Sequence, residues 1–192
     1  MIYVLGHSRS GSGYMAKLLQ AHGLDVGHEK MGRDGISCWA WATRDLDPPW
    51  APGARPFIEA DDAVIHHVRD PIKAIPSIAF TEGDPRCEAY RRRYCFIDPL
   101  ANAWVRATQS WIGWNGLVRA LRPTLTVRVE EAEFDLRVFL GGLAPHKEPP
   151  PTNDNTRPHE TVTWAELETY IPEGLLMVLQ QHACWYGYRT ED

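Results

Sequence analysis

Arg9 is flanked by Ser8, Ser10 and Ser12, with Gly6, Gly11 and Gly13 spaced among them. Glycines let backbone N–H groups come close to an anion, and hydroxyls and a guanidinium add donors and charge. Ile2 to Leu5 precede this loop as an apolar, strand-favouring run. Tyr14, Met15, Leu18 and Leu19 follow it at helical spacing. Strand, glycine-rich loop and helix in that order predict a cradle for a phosphate-type anion at a helix N-terminus. Gly6 and Gly11 fit the glycines of G-x-x-x-x-G-K-[ST], but Ser12 stands at the Lys position and Gly13 at the metal-binding hydroxyl. The charge sits at Arg9 instead, so the cradle lacks the usual metal–triphosphate geometry. The alternatives are the glycine turn of a dinucleotide-binding fold, which the absence of G-x-G-x-x-G weakens, and a chance loop, which its place between strand and helix argues against.

Two further stretches carry chemistry-bearing side chains. Gly27-His28-Glu29 lies in a polar, glycine-rich loop after a short strand predicted over Leu24–Val26. Val68-Arg69-Asp70-Pro71 ends a second strand, and Ser77 stands eight residues after Arg69. His66 and His67 alternate across that strand, so at least one belongs to the packing. Asp61 and Asp62 suit a turn or helix cap better than a metal pair.

The elements that must position these residues alternate between strands and helices. Ala63–Val68 reads as a central strand. Asp70 caps the next helix with Pro71 at its first position, and Pro76 is expected to kink or shorten it. A short helix is expected over Ile36–Thr43, and an irregular connection over Asp47–Pro56. Pro85–Tyr94 is expected to be helical, and Leu100–Leu121 to form a long amphipathic helix interrupted by Gly113 and Gly116. Thr124–Val129 reads as a strand and Glu131–Leu140 as a helix. Gly141–Thr163 is proline-rich and irregular. Thr163 and Glu166 form a capping box for a helix from Trp164, and a last helix covers Pro172–Tyr186. This order predicts one α/β domain, a three-layer α/β/α P-loop-type fold with a mainly parallel central sheet over residues 1–192. Ligands bind outside the carboxyl ends of such strands, so the loops after Leu5, Val26 and Val68 are expected to meet in one crevice.

Composition narrows the function. With 192 residues, 44% hydrophobic and 23% charged, the chain is long enough for one real core. The net charge of −5 argues against nucleic-acid partners. No apolar run approaches a membrane span, and no early segment has the pattern of a secretory signal. Cys38, Cys87, Cys95 and Cys184 form no C-x-x-C pair, which predicts free thiols, no metal site and a cytoplasmic setting.

Taken in order, the three stretches resemble the sulfotransferases that use 3′-phosphoadenosine-5′-phosphosulfate. Arg9-Ser10-Gly11-Ser12 looks like their 5′-phosphosulfate loop, in the Arg-containing version of the tyrosylprotein enzymes. The resemblance implies donor contacts from Gly6, Ser8, Arg9, Ser10, Gly11, Ser12, Gly13 and Tyr14. Arg69 and Ser77 match the family's 3′-phosphate pair in type and spacing. Glu29 looks like the glutamate base of the tyrosylprotein enzymes; His28 competes with it, because cytosolic members use a histidine, in a different segment. Val127–Glu131 is similar to a strand-end segment of many members. The implied reaction moves a sulfuryl group to a hydroxyl or amine of a small-molecule or carbohydrate acceptor, with Arg9 supplying charge where no metal is expected. Trp39, Trp41 and Asp34 are candidates for the acceptor pocket. The chain departs from the family in its shortness, in Gly13 replacing a second hydroxyl residue, and in lacking the Arg-Lys-Gly segment near the C-terminus. Lys147 and Arg157 are the candidates to replace that segment. Two other functions stay open: a P-loop kinase of a small metabolite, and a non-catalytic nucleotide-binding module.

Overall fold

The run Ile2–Gly6 forms β1 and pairs on both sides, which is why Tyr3, Val4 and Leu5 are all fully buried. In this computed structural model, residues 1–43, 58–151 and 161–191 are described; Asp47–Pro56 and Arg157 lie outside them. Beside β1 are β2 (Val26–His28), β3 (Gly35–Ser37), β4 (Ala63–Val68) and β5 (Leu125–Arg128). The five strands form one all-parallel sheet in the order β2-β3-β1-β4-β5. The chain leaves β1 for the β2 edge, then crosses back to β4 on the other side. The loop after β1 therefore sits at the centre of the carboxyl edge, where open α/β sheets bind ligands.

Alternation along the strands sorts the core into layers. Val4, Ile65 and Val127 point to one face and pack on Met15, Leu18 and Leu19 of α1 (Ser12–Ala21) and Leu136 of α5 (Ala132–Phe139). Tyr3, Leu5 and Val64 point to the other face, against Trp114 and Val118 of α4 (Ala103–Ala120). Trp111 of α4 joins a second cluster with α2 (Pro71–Thr81), α6 (Trp164–Tyr170) and α7 (Glu173–Trp185). The helix α3 (Pro85–Arg91) brings Tyr90 onto Trp39 and Trp114. Helices on both faces of a parallel sheet make the expected three-layer α/β/α architecture. No helix among the described residues is long and apolar enough to cross a membrane.

Three local expectations are corrected. The second strand begins at Val26 rather than Leu24, because its partners are Gly35, Ile36 and Ser37 of β3. Residues 36–43 are not one short helix: Gly35–Ser37 is a strand, and only Trp39–Ala42 makes a 3₁₀ turn. Three-residue strands are too short to show a period of two. Pro76 lies inside α2, which continues past it to Thr81. Its missing N–H costs about 3 kcal/mol, and burial of Ala74, Ile75 and Ile78 offsets it at roughly 1.5–3 kcal/mol for each large side chain. Gly113 and Gly116 do not interrupt α4; a Cβ at Gly113 would lie 2.6 Å from Cβ of Cys95, so this glycine admits a close neighbour.

Candidate functional site

The loop after β1 is shaped by two glycines. A Cβ at Gly6 would lie 2.3 Å from the carbonyl oxygen of His67, so this residue is glycine for the approach of β4. Gly11 has φ 93° and caps α1, in a left-handed conformation that favours glycine. Between them the Ser10 N–H donates to the His7 carbonyl at 3.2 Å, and Arg9 is held at φ 66°. The first turn of α1 follows, with its positive dipole end at the loop.

A cavity of about 430 Å³ opens at this point. Ser8, Arg9, Gly11, Ser12, Gly13 and Tyr14 line it from the loop and α1, His28 and Glu29 from the end of β2, and Arg69 from the end of β4. The three predicted stretches thus meet in one crevice. Trp39, Val129, Thr81 to Asp84, and Cys87 complete the wall. Val129 belongs to the strand-end segment 127–131.

Glu29 is half-buried and has φ 55°, with its N–H donating to the Ser37 carbonyl at 3.0 Å. Among the described residues three non-glycines have positive φ, and two of them, Arg9 and Glu29, line this cavity. Such conformations cost about 1–3 kcal/mol each and cluster at functional sites. Exposed His28 places Nε2 3.0 Å from Oγ of Ser12. Burial, then the charge of Glu133, raises the Tyr14 hydroxyl above its ordinary pKa.

Arg69 reaches the loop from β4, its Nη1 donating to the Arg9 carbonyl at 3.1 Å. Burial lowers its pKa from the ordinary arginine value, opposed by Glu130, Asp70 and Tyr188. Glu130 is held by the Asp70 N–H at 3.2 Å and the Tyr188 hydroxyl at 2.8 Å.

A buried network behind the loop escaped the sequence reading. Arg91 is fully buried; its Nε donates to Ser110 Oγ at 2.7 Å and its Nη1 to Ser8 Oγ at 2.8 Å. Its guanidinium forms a two-armed ion pair with Glu82, Nη1 to Oε1 at 2.9 Å and Nη2 to Oε2. Ser8 in turn donates to Glu82 Oε1 at 2.7 Å, so its hydroxyl serves the network. His7 Nδ1 contacts the Ser8 carbonyl, and its Nε2 lies 2.7 Å from Ser110 Oγ. Burial first, then Arg91, holds the His7 pKa well below the ordinary histidine value. A neutral ring then donates from Nδ1 and accepts from Ser110 at Nε2. Glu82 and Arg91 lie nine residues apart across a break between helices, a spacing with no motif. Cys87 on the wall is pushed up to about 12, chiefly by burial, which keeps it a thiol.

Other predicted residues lie off the wall. Ser77 is 1% exposed and its hydroxyl lies 3.1 Å from that of Thr81, the residue of α2 that does reach the cavity. Ser10 is buried beneath the loop, its hydroxyl without a hydrogen-bond partner among the described residues. The Lys147 N–H donates to the Ala21 carbonyl at 3.2 Å, at the far end of α1, ~15 Å from the loop at 1.5 Å per residue. Asp34 precedes β3 at the amino edge of the sheet, where Arg33 and the Asp25 N–H lower its pKa to about 2. Trp41 packs on Tyr3, whereas Trp39 lines the cavity. His66 and His67 are both core residues, 0% exposed.

Fold and site together define an α/β domain with a cavity at the carboxyl edge of its sheet, lined by Arg9, Arg69 and the carboxylate of Glu29. No protein-family model matches the chain, and neither does any curated protein sequence.

Proposed function

We propose that this protein is a sulfotransferase, moving a sulfuryl group from 3′-phosphoadenosine-5′-phosphosulfate to a hydroxyl or amine acceptor. One observation carries the reading: Arg9 and Glu29, both in strained left-handed backbone, line the same cavity in front of the N-terminus of α1. The residues present fit the 5′ end of the donor. Arg9, the N–H groups of residues 11–13 and the Ser12 hydroxyl would hold the phosphosulfate, and Arg69 would take the 3′-phosphate. Ser77 is buried off the wall, and Thr81 stands in its place at the cavity.

The donor supplies an activated sulfuryl group. The chain's part is charge and position, as in phosphoryl transfer. Arg9 and the helix N-terminus stabilise negative charge growing on the bridging side. Glu29 accepts the acceptor's proton at its carboxylate, and Trp39 and the turn 82–84 narrow the space in which that acceptor lies.

Thermal unfolding with added nucleotide tests the donor. Ligand at 100 times its dissociation constant stabilises the fold by about 2.7 kcal/mol. 3′-Phosphoadenosine-5′-phosphate is expected to raise the melting temperature more than ATP with Mg²⁺, and transfer should persist in EDTA. Equal protection by ATP–Mg²⁺, with activity lost in EDTA and restored by Mg²⁺, would support a kinase instead.

A further inference from the structure

The His28 ring lies over Gly13, at a distance that would leave room for a Cβ there. A Cβ at position 13 would lie 3.6 Å from Cε1 of His28 and 3.8 Å from each ring nitrogen. From there Nε2 lies 3.0 Å from Oγ of Ser12. The Ser12 carbonyl is fixed separately, by the Ser37 hydroxyl at 2.8 Å. With that backbone held, the open variable at Ser12 is the rotamer of its hydroxyl. A general base needs its lone pair on the acceptor's proton, whereas Nε2 of His28 faces a hydroxyl of the anion loop.

We propose that His28 is a positioning residue for the anion rather than the base. Its Nε2–H donates to Oγ of Ser12, which turns the Ser12 O–H toward an anion held between Arg9 and the first turn of α1. The chain of donors, Nε2–H to Oγ–H to anion oxygen, polarises each bond in it. The assignment deepens the reading of this loop as the donor site and rests on it.

Titration calorimetry with 3′-phosphoadenosine-5′-phosphate and with inorganic pyrophosphate tests it without requiring turnover. A neutral hydrogen bond of about 1 kcal/mol corresponds to roughly fivefold in affinity. His28→Ala is expected to weaken both probes by about that factor. His28→Gln, whose amide N–H can reach Ser12, should restore most of the loss, and His28→Ala with Ser12→Ala should bind no worse than Ser12→Ala alone. In transfer assays the donor KM should rise while kcat stays within about twofold. Unchanged probe affinity in His28→Ala overturns the proposal, as do losses that multiply in the double variant, or a parent protein that binds neither probe. Probe binding that follows this pattern in a protein with no transfer activity supports the His28 role and removes the sulfotransferase reading.

Discussion

Arg69 Nη1 donates to the backbone carbonyl of Arg9 at 3.1 Å, tying the end of β4 to the loop after β1 across sixty residues of sequence. The carbonyl of Arg69 itself accepts from Trp111 Nε1 at 3.3 Å, so α4 anchors the pair from behind. A left-handed Arg9 costs about 1–3 kcal/mol, and a charge-assisted bond to its carbonyl returns a similar amount. One guanidinium thus both fixes the loop and faces the cavity.

Arg69→Lys separates those roles. A lysine keeps the charge but loses the planar fork that can span the Arg9 carbonyl and a phosphate together. We expect binding of 3′-phosphoadenosine-5′-phosphate to weaken about tenfold or more, from a loss of ~1.5–3 kcal/mol. Equal affinity in equilibrium dialysis would show that Arg69 holds the loop alone.

Glu29→Gln preserves shape and removes the proton-accepting charge. A positioned base contributes ~10²–10⁴-fold to rate. Turnover should therefore fall by about two orders of magnitude or more, with donor affinity little changed. Arg9→Ala is expected to weaken both. A Glu29→Gln protein with parental kcat would move the base elsewhere on the wall.

Arg91→Met leaves the mostly buried Glu82 carboxylate with the Ser8 hydroxyl but without its counter-charge; the side-chain exposures of Arg91 and Glu82 in the parent are 1% and 9%. Breaking one side of a buried pair costs about 3–5 kcal/mol. Urea unfolding should show that loss, and a second change, Glu82→Met, should recover part of it. A single variant as stable as the parent contradicts the role assigned to this pair.

Stability should fall as the solution is acidified below about pH 6.5. Burial lowers His66 to about 4 and His67 to about 3, and it holds His7 well below the ordinary value. Below the unfolded value of about 6.5 the unfolded chain takes up protons that the folded chain refuses. Each histidine then removes up to about 1.4 kcal/mol per pH unit, until its folded value is reached. Denaturant midpoints between pH 7 and 5 should drop accordingly, and His66→Gln should make the slope shallower. A flat profile would mean that these rings do not stay neutral in the fold.

The sequence by itself determined the alternation of strand and helix, the parallel sheet and the glycine-rich turn from β1 into α1, because these depend on local pattern. Ile2–Leu5 is apolar without a break, Thr163 and Glu166 do form their capping box, and Asp70 with Pro71 starts α2. It also placed Arg9, Glu29 and Arg69 at strand ends, and strand ends of a parallel sheet lie on one edge. Tertiary structure alone decided which side chains face the cavity. Ser77 has a plausible spacing from Arg69, yet it stands one turn before Thr81 on the same face of α2, buried beneath it, and Thr81 takes the wall. Lys147 lies at the opposite end of α1, since its segment packs against Ala21. Three-residue β3 exists only through its pairing with β1 and β2, a non-local bond that no short window contains. Arg91 reads in sequence as one charge among several in a polar helix. It becomes the buried support of the loop because α3 and α4 close over it and leave Glu82, Ser8 and Ser110 as its partners.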